Sequence, residues 1–443
     1  MTAATWPSPL PISTQPAIAG FILPLSDGLA TDPDRVGPKA ANLARLGRAG
    51  LPTPGGFSLT AAAYRHQLRH LGIDDLVDAY NDADLPTSRK LSVQIRLALY
   101  QGSIAPEIAE PLLDLWREQG REAPLGVVRS SALIEDREGA NFAGQFESFL
   151  GLGDEAEVLT AVRACWAALW TSHARRYMDN HHLSPADTAM AVLIQPLVPA
   201  LASGGGLSRT AGGQMLISAT WGLGSAIAQG EVVPDRIILD RKGEVLDMEA
   251  GRKQHQAQCV HGLGARPQPV LATIVCEASL GVGDARALGA MLLTAEATFG
   301  GPVEIEWALD ESGVKLLQAR PLRVEPAHVP DDIWLQHPGI GGHPAGVGWG
   351  SGRSVVVRCE CELSRVGFGD VLVTQVAGPS LSQVFPRVAG VVTELGGATS
   401  HLASLARERG IPMVLGVPGA TRRIPDGSQV AVDGVAGIVR WIN

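Results

Sequence analysis

One histidine, His401, follows Gly396-Gly397-Ala398-Thr399-Ser400 and precedes Leu402-Ala403-Ser404-Leu405-Ala406-Arg407. The pattern predicts a glycine-rich loop running into an amphipathic helix with an imidazole in its first turn. Gly396 and Gly397 permit close approach of backbone to a bulky anion and φ > 0 where needed. Thr399 or Ser400 can cap the first-turn amides, and Gly410 with Pro412 punctuates the far end. The positive end of the helix dipole disfavours imidazolium and welcomes an attached phosphate. A histidine held neutral there is a good phosphoryl nucleophile. Taken alone, the segment fits a capping histidine on a surface loop equally well.

A second constellation lies over residues 302–321. On a strand, Glu304 and Glu306 share one face while Val303, Ile305 and Trp307 point the other way. The turn Asp310-Glu311-Ser312-Gly313 brings back Leu316, Gln318 and Arg320 with the same alternation. A register centred on Ser312 sets Glu306 across from Gln318 and Glu304 across from Arg320. Such oxygen donors suit Mg2+ bridging nucleotide phosphates, with Arg320 reaching a phosphate oxygen. A hairpin standing alone would be read more simply as a solvated face with a Glu–Arg pair. Arg129, in Val128-Arg129-Ser130-Ser131, leaves an apolar strand and leads towards Glu135-Asp136, followed by a small-residue turn at 141–148. Gly222-Leu223-Gly224-Ser225 is neither a P-loop nor a dinucleotide fingerprint.

The elements that must carry these residues follow from periodicity and turn chemistry. Residues 1–19 read as a loose leader. Helices are expected from Lys39 to an end at Gly50, and over 60–71, 88–101, 106–119, 155–179 and 283–299, with Trp166, Trp170 and Tyr177 of the fifth as core. The stretch 125–152 reads as β-rich. Strands are expected at 190–198, 215–219, 235–240 and 244–248, and a hairpin at 303–320. A Pro-rich tether opens at Pro321 and runs to about Pro338, before a compact α/β unit of ordinary domain size.

At 443 residues, 45% apolar and 18% charged, the chain is expected to be globular with two or three domains. Its net charge of −9, with no basic block, speaks against nucleic acid. The longest apolar run, 189–202, is broken by Gln195, Pro196 and Pro199 and cannot span a bilayer. No basic n-region opens a signal peptide. A cytoplasmic enzyme without membrane partners is the expectation. Cys359 and Cys361 would share one face of a strand continued from Val357, in a structural role rather than a metal site.

In this order, the residues resemble the phosphoenolpyruvate synthase / pyruvate phosphate dikinase family over about 20–443. Lys39-Ala40-Ala41-Asn42-Leu43 resembles the family's opening lysine motif, Val128-Arg129-Ser130-Ser131 its phosphate-binding arginine motif, and Phe142-Ala143-Gly144-Gln145-Phe146-Glu147-Ser148 the loop over the terminal phosphates. Glu304-Ile305-Glu306-Trp307 with Leu317-Gln318-Ala319-Arg320-Pro321 is the most specific match in this part. The resemblance implies an α/β protein: an α+β ATP-grasp region over 20–322, a linker over 323–338 and a swivelling phosphohistidine domain over 339–443. It implies ATP contacts from Lys39, Arg129, Gly144, Gln145, Glu304 and Arg320, Mg2+ ligands at Glu306 and Gln318, and phosphorylation at His401. The sequence departs from the family at Gly37-Pro38 and Ala40, at Leu402, and at Ala202-Ser203-Gly204-Gly205-Gly206-Leu207, which lacks the hydrophobic-Phe-Thr ending of the family's middle lid segment. The family's pyruvate-binding barrel has no counterpart in these 443 residues.

What the resemblance implies is an ATP-dependent phosphotransferase of the dikinase kind. His401 would take phosphate from ATP, AMP would leave, and an organic acceptor such as pyruvate or a small hydroxylated compound would receive the phosphoryl group. The acceptor would bind on a separate subunit or between the two domains. A ligase-like condensing enzyme of the prodigiosin-synthase type, or a non-catalytic nucleotide-binding regulator, are the alternatives. The regulator is disfavoured by the joint presence of Lys39, Arg129, Glu306, Gln318, Arg320 and His401.

Overall fold

The computed structural model describes residues 20–121, 123–135, 146, 148–180, 182–260, 264–324, 334, 336–337 and 339–442. The leader, most of the tether, and Gly144 and Gln145 with their loop lie outside these residues. The chain forms two compact units. One comprises residues up to Arg48, Thr53–Glu135 and Phe146–Leu197; the other includes Ala49–Pro52 and Val198–Asn443.

The first unit is built on β1 (Ile22–Pro24), α1 (Pro33–Arg48), β2 (Phe57–Leu59), α2 (Ala61–His70), α3 (Asp74–Asn81), α4 (Leu85–Gln101), α5 (Pro106–Gly120), β3 (Gly126–Ala132), β4 (Ser148–Leu152), α6 (Glu155–Ala168), α7 (Ser172–Asn180) and β5 (Met190–Pro196). Its antiparallel sheet has the order β1-β2-β5-β3-β4. The core strand β5 opens on an apolar run, Met190 to Ile194, because six of its seven residues are buried, Gln195 among them. The helix expected over 155–179 is in fact two. Thr171 stops the first, its hydroxyl donating to the Ala168 carbonyl, and starts the second by accepting from the Ala174 amide. Between them Trp170 is buried and its indole N–H donates to the Tyr64 hydroxyl at 2.8 Å. An aromatic stripe continuous in sequence is therefore satisfied by two short helices.

The second unit contains β6 (Ala202–Leu207), β7 (Met215–Trp221), α8 (Ser225–Ala228), β8 (Asp235–Leu239), β9 (Val245–Glu249), β10 (His255–Val260), β11 (Gly264–Pro269), α9 (Val282–Phe299), β12 (Val303–Asp310) and β13 (Gly313–Pro321). Their main sheet is antiparallel, β13-β12-β6-β7-β8-β9. The segment read as a lid, Ala202 to Leu207, is thus an inner strand, and Gly204-Gly205-Gly206 hid it. A Cβ on Gly204 would lie 1.9 Å from the Ser218 carbonyl oxygen, so close backbone pairing requires the glycine there.

The same unit continues through β14 (Gly339–Gly341), β15 (His343–Pro344), β16 (Trp349–Val357), β17 (Asp370–Thr374), β18 (Val388–Thr393), α10 (His401–Arg409), β19 (Met413–Leu415), β20 (Gln429–Asp433) and β21 (Ile438–Ile442). These strands form one sheet, β14-β21-β20-β16-β17-β18-β19-β15, parallel across β16-β17-β18-β19. Buried parallel strands explain the Val-rich runs at 355–357, 371–373 and 391–392. The expected strand through Cys359 ends at Val357. Cys359 instead immediately precedes a short 3-10 helix, Glu360–Arg365, and forms a disulfide with Cys361. No helix among the described residues is long and apolar enough to cross a membrane.

Candidate functional site

In the first unit, Gly37 breaks α1 with φ 73°, and Pro38 restarts it. A Cβ at Gly37 would lie 2.1 Å from the Ser131 carbonyl oxygen, so only glycine lets α1 press against the end of β3. That approach aims Lys39 across β3. Its ammonium donates to the Ser130 carbonyl at 3.1 Å and pairs with Glu135 at 3.0 Å. Arg129 is half-buried on β3, one residue before that carbonyl. Lys39 thus contacts the backbone of the residue that follows Arg129 on β3. Glu135, 2% exposed, stands in the sequence only as the acid that ends the Arg129 segment; its pairing with Lys39 depends on burial and is not visible there.

In the second unit, β12 and β13 carry the register expected from alternation: Glu304 opposite Arg320 and Glu306 opposite Gln318. The turn itself pairs Asp310 with Gly313, which alone would shift the register. A bulge between Glu306 and Trp307, opposite the skipped Leu317, corrects it. Glu306 and Gln318 consequently present a carboxylate and an amide oxygen side by side. Among the described residues no group of three His, Cys, Asp or Glu gathers for a metal. Two protein oxygens, with water and phosphate completing the shell, fit Mg2+ as nucleotide sites hold it.

Glu304 is buried and shared. One carboxylate oxygen accepts from Arg320 Nε at 3.2 Å and the other from Arg407 Nη2 at 3.0 Å. Burial acts to raise its pKa, but the guanidiniums of Arg320 and Arg407 outweigh it and hold the carboxyl below its usual range. Arg407 lies on α10, six residues past His401, and its Nη1 also donates to the carbonyls of Ala398 (2.6 Å) and Ala345 (3.2 Å). The sequence reading gave Arg407 no role. An arginine buried among Leu402, Ala403, Leu405 and Ala406 is the signal, but only burial reveals it.

The histidine loop takes the form its residues predict. Gly396 adopts φ 97°, Ser400 is the N-cap and accepts from the Ala403 amide at 3.2 Å, and Gly410 closes α10 in the left-handed region. His401 occupies the first helical position. The loop is seated on the β6-β7-β8 side of its unit: the Gly396 amide donates to the Val232 carbonyl at 3.0 Å, and Ala398 packs with Leu207 and Leu216. A Cβ on Gly397 would meet Pro234 Cγ at 2.4 Å, and one on Gly205 would meet Thr399 Cβ at 2.5 Å. Gly205→Ala is therefore expected to lift the loop, at about 1–3 kcal/mol of strain. Wild-type-like protection of the 396–400 amides in hydrogen exchange of this variant would contradict the seating. Beneath Pro234, the fully buried Asp235 pairs with Lys253 and accepts from the Ser279 amide and hydroxyl and the Gly251 amide. The partners of Asp235 come from up to 44 residues away, beyond any local pattern.

His343, also buried, sits beside Gly416, close to the Gly396 carbonyl. Burial, then Arg236, pushes its pKa down from 6.5 to about 4, against the opposing pull of Glu249. The unfolded chain binds this proton below about pH 6.5 and the native protein only near 4, so stability is lost as pH falls through that window. The loss is about 3 kcal/mol at full extent. Urea titrations between pH 7 and 4 should show that decline in wild type and a flatter profile in His343→Gln; parallel profiles would contradict it.

A family model described as "Pyruvate phosphate dikinase, AMP/ATP-binding domain" matches residues 33–334, and one described as "PEP-utilising enzyme, mobile domain" matches residues 367–437. A phosphoenolpyruvate synthase of Aeropyrum pernix is 32% identical over 91% of this chain and 56% of its own length. A probable phosphoenolpyruvate synthase of Methanothermobacter thermautotrophicus is 30% identical, covering 91% and 61%. One of Archaeoglobus fulgidus is 32% identical, covering 94% and 58%. The chain thus spans little more than half the length of these curated relatives.

Proposed function

The chain belongs to the pyruvate phosphate dikinase family, and from that premise we propose that it is an ATP-dependent phosphotransferase working through a phosphohistidine at His401. Lys39, Arg129 and Arg320 would contact the nucleotide phosphates, and Glu306 with Gln318 would hold Mg2+, which offsets phosphate charge when bound. An imidazole nitrogen of His401 would form a bond to the β-phosphorus as the bond from that phosphorus to the oxygen of the α-phosphate breaks. AMP leaves, the β- and γ-phosphates stay together on the imidazole, and cleavage of the bond between them, with the γ-phosphoryl group passing to water or to inorganic phosphate, leaves the phosphohistidine. Such transfer depends on positioning and on charge stabilisation rather than on protein acid–base chemistry. The phosphoryl group then passes to an organic acceptor, such as pyruvate or a small hydroxylated compound, held on a partner subunit or on this chain. A cytoplasmic setting accords with this chemistry.

The observation that carries the reading is the seating of the histidine helix against the sheet bearing Glu306 and Gln318, through Glu304 and Arg407. It joins nucleophile and metal-ligand candidates in one unit. The test is positional labelling: with ATP radiolabelled at the β-phosphate and Mg2+, the protein should acquire label that is acid-labile and base-stable while AMP accumulates. Nucleotide binding without label or AMP, with pyruvate and partner chains supplied, would favour the regulator instead.

A further inference from the structure

A cleft in the first unit, formed by α3, α4 and α7, gathers positive charge that neither Lys39 nor Arg129 contributes to. Its cavity volume is about 640 Å³ and it opens to solvent. Arg89 and Arg96 line it from α4 and Arg175 and Arg176 from α7, against the one carboxylate of Asp179. Among the described residues, no carboxylate forms an ion pair with any of the four. Arg175 Nη1 makes only long contacts of 3.4 Å, to the Tyr80 hydroxyl and the Ser88 carbonyl, and its buried Nε has no hydrogen-bond partner among the described residues. The floor is aromatic: Tyr80 and Trp170 meet edge-on at 5.3 Å.

Four guanidiniums in one cleft repel one another, and a buried N–H without an acceptor is costly. Both are relieved by an anion. Guanidinium forks match phosphate oxygens two at a time, which a single surface charge cannot do. The concavity is confined and the chain carries −9 overall, so a nucleic-acid strand is a poor fit and a small molecule a good one. We propose that this cleft binds a phosphate-bearing small molecule, at a site that shares no residue with the one assigned to ATP. The inference stands independently of the chemistry assigned to His401.

Calorimetric titration of the full chain with inorganic phosphate and with inorganic pyrophosphate tests it. Wild type and Arg129→Gln should both bind pyrophosphate, and more tightly than phosphate. The exposed pair Arg89→Gln/Arg96→Gln should bind at least about tenfold more weakly, the effect of losing one charge-assisted hydrogen bond. Should that pair fail to fold, as judged by circular dichroism, Arg96→Gln alone carries the same comparison. No binding at millimolar pyrophosphate, binding unchanged by the cleft substitutions, or binding abolished by Arg129→Gln would overturn the assignment.

Discussion

His401→Gln protein incubated with Mg2+ and β-labelled ATP will carry no acid-labile label, and AMP formation will fall by at least about a thousandfold. Glutamine retains a polar side chain but offers no nucleophilic ring nitrogen. The position tolerates the change structurally: His401 is only half-buried, and the cap is made by Ser400, not by the imidazole. Nucleotide affinity should stay within about twofold of wild type, because the side chains assigned to the phosphates lie elsewhere. Loss of label with preserved affinity separates a nucleophile from a structural residue. Label that persists on His401→Gln protein would move the covalent step to another side chain and end the present assignment.

Arg407→Gln is expected to act on stability and transfer together. The guanidinium neutralises one oxygen of Glu304 and ties down the carbonyls of Ala398 and Ala345. Removing one partner of a buried pair costs about 3–5 kcal/mol, because the remaining charge keeps its desolvation penalty; the retained contact to Arg320 places the expected effect near the lower end. Chemical denaturation would measure it. Since Ala398 belongs to the histidine loop, labelling of His401 should slow by more than about tenfold even where the protein remains folded. Arg407→Lys keeps the charge but not the forked geometry and should recover part of both. A cycle with Glu304→Gln gives the coupling directly. Additive effects in that cycle would show that the two side chains do not act as a pair.

Much of the molecule is legible from one dimension. The strand alternation of Glu304, Glu306, Gln318 and Arg320 foretells the hairpin pairing, and the Gly-Gly-Ala-Thr-Ser-His run foretells a loop, a cap and a helix start. Both depend on interactions within about twenty residues, where backbone sterics and hydrogen-bond periodicity act directly on residue type. The half-residue offset of the turn was not legible, and the bulge at Leu317 that restores the expected register was not foreseen. The strand at Ala202–Leu207 escaped because three glycines carry no β signal; the Ser218 carbonyl is the reason for Gly204 and Thr399 the reason for Gly205.

Residue type and spacing thus singled out the candidate side chains on their own: an imidazole at a helix start, oxygen donors on one strand face, a lysine and an arginine near small-residue turns. Tertiary structure decided what those side chains are attached to. Glu135 beneath Lys39, Lys253 under Asp235 and Arg407 on Glu304 are separated from their partners by 96, 18 and 103 residues. Such pairs exist because burying a charge demands a counter-charge, and the chain can supply one from any distance along its length once folding has brought the surfaces together.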